Sequence, residues 1–262
     1  MSVELAHIAN GESGPPVVIL HGLLGSARNW SSFARRLGAT HRVFALDLRN
    51  HGASPWADEM SYDQMAGDVR AFLARQGLPS AALIGHSMGG KVAMRLALTH
   101  GEQVDSLVVV DIAPVAYRRS FNAYVEAMRD LDLSGINRRS EADALLAGKV
   151  EDRGVRGFLL QNLASGEDGL AWRVALQALS DNMPEIMSFP EPRSDERYEG
   201  PTLFVSGGRS DYVRPEHHAA ILRLFPRARI ETIPDIGHWV QAEAPDRFFE
   251  LVGGFLGQAS DG

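Results

Sequence analysis

Residues 81–100 read AALIGHSMGGKVAMRLALTH, and the reading of this stretch decides the fold. Four apolar residues, Ala81 to Ile84, lead into a Gly-His-Ser-Met-Gly cluster, and an Ala- and Leu-rich helical pattern follows at once. An apolar run with no polar alternation is what a strand buried on both faces carries. The glycines mark a sharp turn between that strand and the helix. Gly85, Ser87 and Gly89 fit G-x-S-x-G, in which a serine sits on a strained strand-to-helix turn with small neighbours and projects its hydroxyl above the sheet. The amides that follow open a helix, where the dipole favours a developing oxyanion. A five-residue match alone is common, and a glycine-rich turn would explain it. A strand before and a helix after give the match its chemical meaning.

Outward from this stretch, short apolar runs alternate with helical patterns. PVVILHG (16–22), RVFALD (42–47), SLVVVD (106–111), PTLFVSG (201–207) and ARIETIPD (228–235) read as strands. Helices are expected over about 29–37, 62–76, 88–100, 215–224 and 245–256. Alternation of this kind builds a mostly parallel sheet with right-handed crossovers and helices on its faces, and ligands bind beyond the carboxyl ends of its strands. The alternation stops between about 115 and 195. There the chain is rich in Arg, Asp, Glu and Leu at helical spacing, with no strand signal until PTLFV. We read 115–195 as a helical cap, or lid, inserted into a core of 1–114 and 196–262; a packing subdomain remote from the site is the plainer alternative. FPEPRSDERYEGP (189–201) reads as the return linker.

Composition narrows the function. The chain has 262 residues, a net charge of −7 and no cysteine. Net negative charge gives no general attraction to nucleic acid or to an anionic membrane. Without cysteine there is no disulfide, thiol nucleophile or thiolate metal site. The opening MSVELAHIANGESG lacks a basic and then apolar leader, and no apolar run reaches the roughly 18 residues of a membrane span. The expectation is a cytoplasmic protein acting on a small molecule, with no metal, cofactor, nucleic acid or membrane partner and an oligomeric state the sequence does not reveal.

A serine hydroxyl needs a base. His238, in IPDIGHWVQAEAPDRF, falls in a loop after the last strand, and Ser…acid…His is the chain order for this architecture. A loop histidine held for structural reasons is the alternative. His86 is expected to point away from the turn, and His217 and His218 to sit at the surface. The oxyanion donors are expected to be the N–H groups of Met88 and of Leu23 in VVILHGLLGS. His21, Gly22 and Trp239 are candidates for the substrate-binding wall. Trp30, Asn50 and His51 could also line it, although ordinary core packing explains apolar residues there equally well. Asp47 and Arg49 read as a charge-assisted tie within the loop LDLRNHGAS.

With these residues in place the sequence resembles the α/β-hydrolase superfamily. HGLLGSARNW, DLRNHGASP, GHSMGGKVAM, VVVDIAPV and IPDIGHW fall in the family's order across nearly the whole chain. Within it, DLRNHGASP, GHSMGGK, DIAPV and LFPRARIETIPDIGHWVQAEAP resemble the branch of YbfF-type bacterial esterases and abhydrolase domain-containing protein 11. That resemblance implies an α/β-hydrolase fold with a helical cap after the sixth strand. It further implies a serine esterase or thioesterase acting on acyl esters, and no cofactor.

Two acids compete for the third place. Many family members carry it in a G-x-x-D-x-x-V pattern. Here SGGRSDYVRPE puts Ser210 at that position and Asp211 one residue late. Other branches place the acid after the sixth strand, where this chain has Asp111 in SLVVVDIAP. Asp111 is the first choice and Asp211 the alternative; the other acid would bind backbone or hold the cap. Asp in a loop often only caps local structure. The expected reaction is acyl transfer to Ser87, with His238 as base and the acid fixing its tautomer. It runs down at acid pH, because a free imidazole titrates near about 6.5. Arg118, Arg119 and Arg129 could meet an anionic substrate, although a solvated helix face also explains them. A carbon–carbon hydrolase or lyase, a perhydrolase, and a ligand-sensing receptor with a slow triad share the same motifs. Dehalogenase and epoxide hydrolase chemistry uses Asp where this chain has Ser87.

Overall fold

The computed structural model describes residues 2–166 and 169–260. In chain order the strands are β1 (His7–Asn10), β2 (Pro16–Leu20), β3 (Arg42–Leu46), β4 (Ala81–His86), β5 (Val104–Val110), β6 (Leu163–Gly166), β7 (Gly169–Trp172), β8 (Thr202–Gly207) and β9 (Ala228–Ile233). Seven of them form one sheet in the order β1-β3-β2-β4-β5-β8-β9. All neighbours run parallel except β1, which pairs antiparallel with β3 at one edge.

The sheet is buried on both faces at its centre because β2, β4 and the second half of β5 are apolar at nearly every position. Period-two alternation then sends successive residues to opposite sides. Val18, Leu20, Leu83, Leu107 and Val109 face one core. That core is closed by α2 (Tyr62–Arg75) and α3 (Met88–Thr99). Val17, Ile19, Ile84, Val108 and Val110 face the other, against Trp30, Phe33 and Phe248. Phe33 lies on α1 (Ser31–Leu37) and Phe248 on α11 (Pro245–Ser260). Full burial of one such side chain stabilises by roughly 1.5–3 kcal/mol, so this double-sided core dominates the fold.

Between β5 and β8 the chain leaves the sheet. It forms α4 (Asn122–Arg129), α5 (Arg139–Leu146), α6 (Arg153–Leu159), the antiparallel pair β6–β7, α7 (Leu176–Asp181) and α8 (Met183–Met187). The sheet then resumes, with α9 (His218–Leu224) and α10 (Val240–Glu243) following β8 and β9. The insertion is tied to the core by polar contacts. Tyr62 Oη donates to Ile186 O at 2.6 Å, Lys91 Nζ donates to Met187 O at 3.2 Å and to Ser188 O, and Ala175 N–H donates to Asn50 O at 3.0 Å.

One strand that the sequence did not announce and two corrected expectations stand out here. The strand β1 carries no clean apolar signal, because HIAN is half exposed along an edge. The insertion holds the β6–β7 pair where only helices were expected; β7 alternates between exposed and half-buried residues, so no apolar run announces it. Counted along this chain, the insertion follows the fifth strand of the sheet, not the sixth. Among the described residues, no helix is long and apolar enough to cross a membrane.

Candidate active site

Ser87 joins β4 to α3 at φ 51°, ψ −119°, a conformation that non-glycine residues rarely hold. The flanking glycines explain how the turn is tolerated. A Cβ on Gly85 would lie 2.3 Å from Gly89 O, and one on Gly89 would lie 2.4 Å from Leu20 O. The turn is pinned by the Ser87 N–H, which donates to Val110 O at 3.0 Å.

The loop after β2 presses against this turn. A Cβ on Gly22 would lie 2.9 Å from His86 Nδ1 and 3.2 Å from Ser87 Cβ, so a side chain there would push against the turn. Leu24 adopts φ 59°. Its N–H donates to His51 Nε2 at 3.1 Å, and the Gly25 N–H donates to Gly22 O at 3.0 Å. Among the described residues the Leu23 N–H has no acceptor. It is thus available beside Ser87, as is the Met88 N–H at the start of α3.

Two buried imidazoles hold this loop from behind. His21 Nε2 accepts from the Leu48 N–H at 3.0 Å, which makes Nδ1 the donor to Gly22 O at 2.8 Å. His51 Nε2 accepts from Leu24, so its Nδ1 donates to Arg49 O at 2.9 Å. Burial pushes His21 down to about 4, and burial with the neighbouring His21 pushes His51 down to about 3. Both rings are therefore neutral at physiological pH, as their acceptor roles require.

Asp111 and His238 meet at the carboxyl ends of β5 and β9. His238 Nδ1 donates to Asp111 Oδ2 at 2.7 Å. The carboxylate is fully buried and is satisfied by hydrogen bonds: Oδ1 accepts from the Gly207 N–H at 3.1 Å, and Oδ2 also accepts from Ser210 Oγ. A buried carboxylate is costly unless several donors surround it. The Tyr212 ring stacks on the imidazole at 4.3 Å and 29°. With Nδ1 engaged, Nε2 is the nitrogen left to face the cavity that His238 shares with Ser87.

That cavity is about 720 Å³ and is lined by Leu23, Ser87, Phe158, His238 and Trp239. His21, Gly22 and Trp30 also reach it, although Trp30 is almost wholly buried in the core. Phe158, from α6 of the insertion, faces Trp239 with ring centroids 5.5 Å apart. Arg28 and Arg153 stand on its wall, one from the core and one from the insertion.

Several expectations are redirected. Asp211 is 57% exposed, ion-paired with Arg119 at 2.9 Å and Arg214 at 3.5 Å, and makes no contact with His238. Arg49 pairs with buried Asp68 at 2.6 Å rather than with Asp47, which accepts from the Ala27 and Ala53 N–H groups. His86 does not turn away from the site: it lines the cavity, and its Nε2 bonds His238 O at 2.9 Å. Burial and the neighbouring His238 push it down to about 3. His217 and His218 are half-buried near the start of α9 and do not line the cavity. Asn50 and His51 lie behind the loop and do not line the cavity. Arg118, Arg119 and Arg129 do not line it either. Sequence reasoning missed Arg28, Arg153, Tyr212 and the Ser210 contact. Only Ser210 had a signal, its place where many relatives carry the acid.

The model of the alpha/beta hydrolase family matches residues 17–251 of this chain. The sn-1-specific diacylglycerol lipase ABHD11 of Mus musculus is 42% identical over 250 residues, covering 92% of this chain and 81% of that protein. The esterase YbfF of Escherichia coli K12 is 36% identical over 257 residues, covering 98% of each. A solved structure described as a marine microorganism esterase superposes with a TM-score of 0.93 at 39% identity, covering 97% of this chain and all of that one.

Proposed function

The chain belongs to the α/β-hydrolase family, and on that premise we propose that it is a serine esterase that hydrolyses acyl esters, thioesters included, through an acyl-enzyme on Ser87. The observation that carries this reading is the 2.7 Å hydrogen bond from His238 Nδ1 to buried Asp111, on the wall of the cavity that Ser87 enters from its strained turn. Relatives named esterase and diacylglycerol lipase support the ester substrate class.

In this account His238 Nε2 takes the Ser87 proton as Oγ bonds to the acyl carbon. Asp111 holds the Nδ1–H tautomer and stabilises the imidazolium. The Leu23 and Met88 N–H groups receive the oxyanion; losing one such donor costs about 3 kcal/mol. The bond to the leaving oxygen or sulfur then breaks, and His238 supplies its proton. Water attacks the acyl-enzyme by the reverse route, with His238 again as base. His21, Gly22 and Trp239 belong to the wall against which the substrate packs. Residues 115–195 act as the cap: Phe158 and Arg153 bring its α6 to the cavity wall.

Labelling with a fluorophosphonate, followed by peptide mapping, tests this assignment. The label should fall on Ser87 and disappear in Ser87→Ala. Stoichiometric labelling without turnover of any ester would instead favour a ligand-sensing role.

A further inference from the structure

Leu24 links the candidate oxyanion loop to the insertion. It holds φ 59°, a left-handed conformation costly for a leucine. Both of its backbone polar groups are clamped from outside the loop. The N–H is held by His51 Nε2 at 3.1 Å, and the carbonyl accepts from Asn162 Nδ2 at 2.8 Å. Asn162 comes from the short turn after α6, within the insertion, and is 5% exposed. Its Nδ2 also donates to Leu159 O at 3.1 Å, and the backbone carbonyl of Asn162 accepts from the Arg173 N–H at 2.8 Å. The side chain is therefore fixed before it reaches Leu24. A second tie runs alongside, from Asn29 Nδ2 to Gln161 Oε1 at 2.6 Å, but that pair is exposed.

We propose that Asn162 is a positioning residue for acyl transfer: by holding the Leu24 carbonyl it fixes the loop that presents the Leu23 N–H to the oxyanion. The inference rests on the esterase reading above. It gives the insertion a part in the chemical step besides covering the cavity. An oxyanion donor acts by being pre-set where charge develops. Release of Leu24 would let the loop relax toward ordinary backbone angles, and a displacement of about 1 Å at such a site costs up to about 100-fold in rate. Ground-state substrate, held mainly by the cavity wall, would bind nearly as before.

The test compares wild type, Asn162→Ala and Asn162→Asp, with p-nitrophenyl butyrate turnover expressed per titrated active site. Asn162→Ala should lower kcat about tenfold or more while KM stays within about threefold. Asn162→Asp should lose more, because its carboxylate would face two carbonyl oxygens. A trifluoromethyl ketone, whose hemiketal places an oxyanion in the hole, should weaken by the same factor as kcat/KM. A residue that merely stabilised the fold would lower the melting temperature and leave kcat per active site and inhibitor affinity unchanged. That outcome overturns the proposal, as does a loss of kcat with undiminished inhibitor affinity. If Asn162→Ala does not fold, Asn162→Ser, whose hydroxyl is too short to span both carbonyls, is measured in its place. A wild type that hydrolyses no ester overturns the esterase reading itself, and this inference with it. An active wild type with unaffected Asn162 variants overturns the inference alone.

Discussion

His238 Nδ1 lies 2.7 Å from Asp111 Oδ2, although the two residues follow strands β5 and β9, which are separated in the sheet by β8. The contact is possible because Asp111 takes φ 50° as the chain leaves β5, with its N–H held by Val205 O at 2.9 Å. The left-handed turn brings the carboxylate across the end of β8, where the Gly207 N–H and Ser210 Oγ meet it.

Asp111→Asn should therefore lower kcat by about 10⁴-fold, since an amide cannot hold the required imidazole tautomer against a developing charge. Asp211→Asn should stay within about twofold of wild type, because an exposed ion pair contributes little. Steady-state ester hydrolysis by the two variants separates the acids. A large loss in Asp211→Asn with a small one in Asp111→Asn would reverse the assignment.

Ser210→Ala removes one donor from the buried carboxylate. A hydrogen bond to a charged group contributes roughly 1.5–3 kcal/mol, so denaturant unfolding should show a loss of that order. The kcat loss should be far smaller than in Asp111→Asn, because the Gly207 N–H and His238 still hold Asp111.

The glycines of the turn differ sharply from glycines elsewhere. Gly89→Ala places a Cβ 2.4 Å from Leu20 O, and β2 cannot yield without disturbing the sheet centre. The variant should lose most activity and more than about 3 kcal/mol of stability, as overpacking at a fixed backbone does. Gly67, inside α2, would meet nothing within 4 Å. Gly67→Ala should raise stability by up to about 1 kcal/mol. Thermal unfolding of the pair checks both signs.

Much of this was legible in the sequence, for definable reasons. Continuous apolar runs at 16–22, 81–87 and 106–111 mark central strands because such strands are buried on both faces. Ser87 and His238 stood out as candidates because a strained turn demands glycine neighbours and chain order restricts the base. The acid stayed open between Asp111 and Asp211, since one residue in a loop redirects a side chain and nothing local records the direction. The Arg49–Asp68 pair and the Asn162–Leu24 contact join residues far apart in the chain. No spacing rule foretells them. Arg28 and Arg153 of the cavity wall went unnoticed for the same reason: an arginine reads alike in sequence whether it faces solvent or the site.

The buried histidines make stability sensitive to acid. Burial holds His21 at about 4, and His51 and His86 at about 3, against an ordinary 6.5. The folded chain keeps these rings neutral at pH values where the unfolded chain protonates them. Unfolding therefore takes up protons: the stabilisation is complete above about pH 6.5 and is lost as pH falls toward the folded values. Each ring contributes up to about 1.4 kcal/mol per pH unit, so three together remove about 4 kcal/mol per unit from a total of about 5–15. Acid unfolding followed by circular dichroism should have its midpoint between about pH 4 and 6. A stability that stayed level from pH 7 to pH 4 would contradict this.

The most direct measurement is steady-state hydrolysis of p-nitrophenyl esters, from acetate to palmitate, by wild type and Ser87→Ala side by side. The account predicts turnover by wild type and a loss of at least about 10⁴-fold in Ser87→Ala, with the acyl-length profile reporting on the cavity beside Ser87. Equal turnover by the two proteins would contradict it, because the nucleophile would then lie elsewhere.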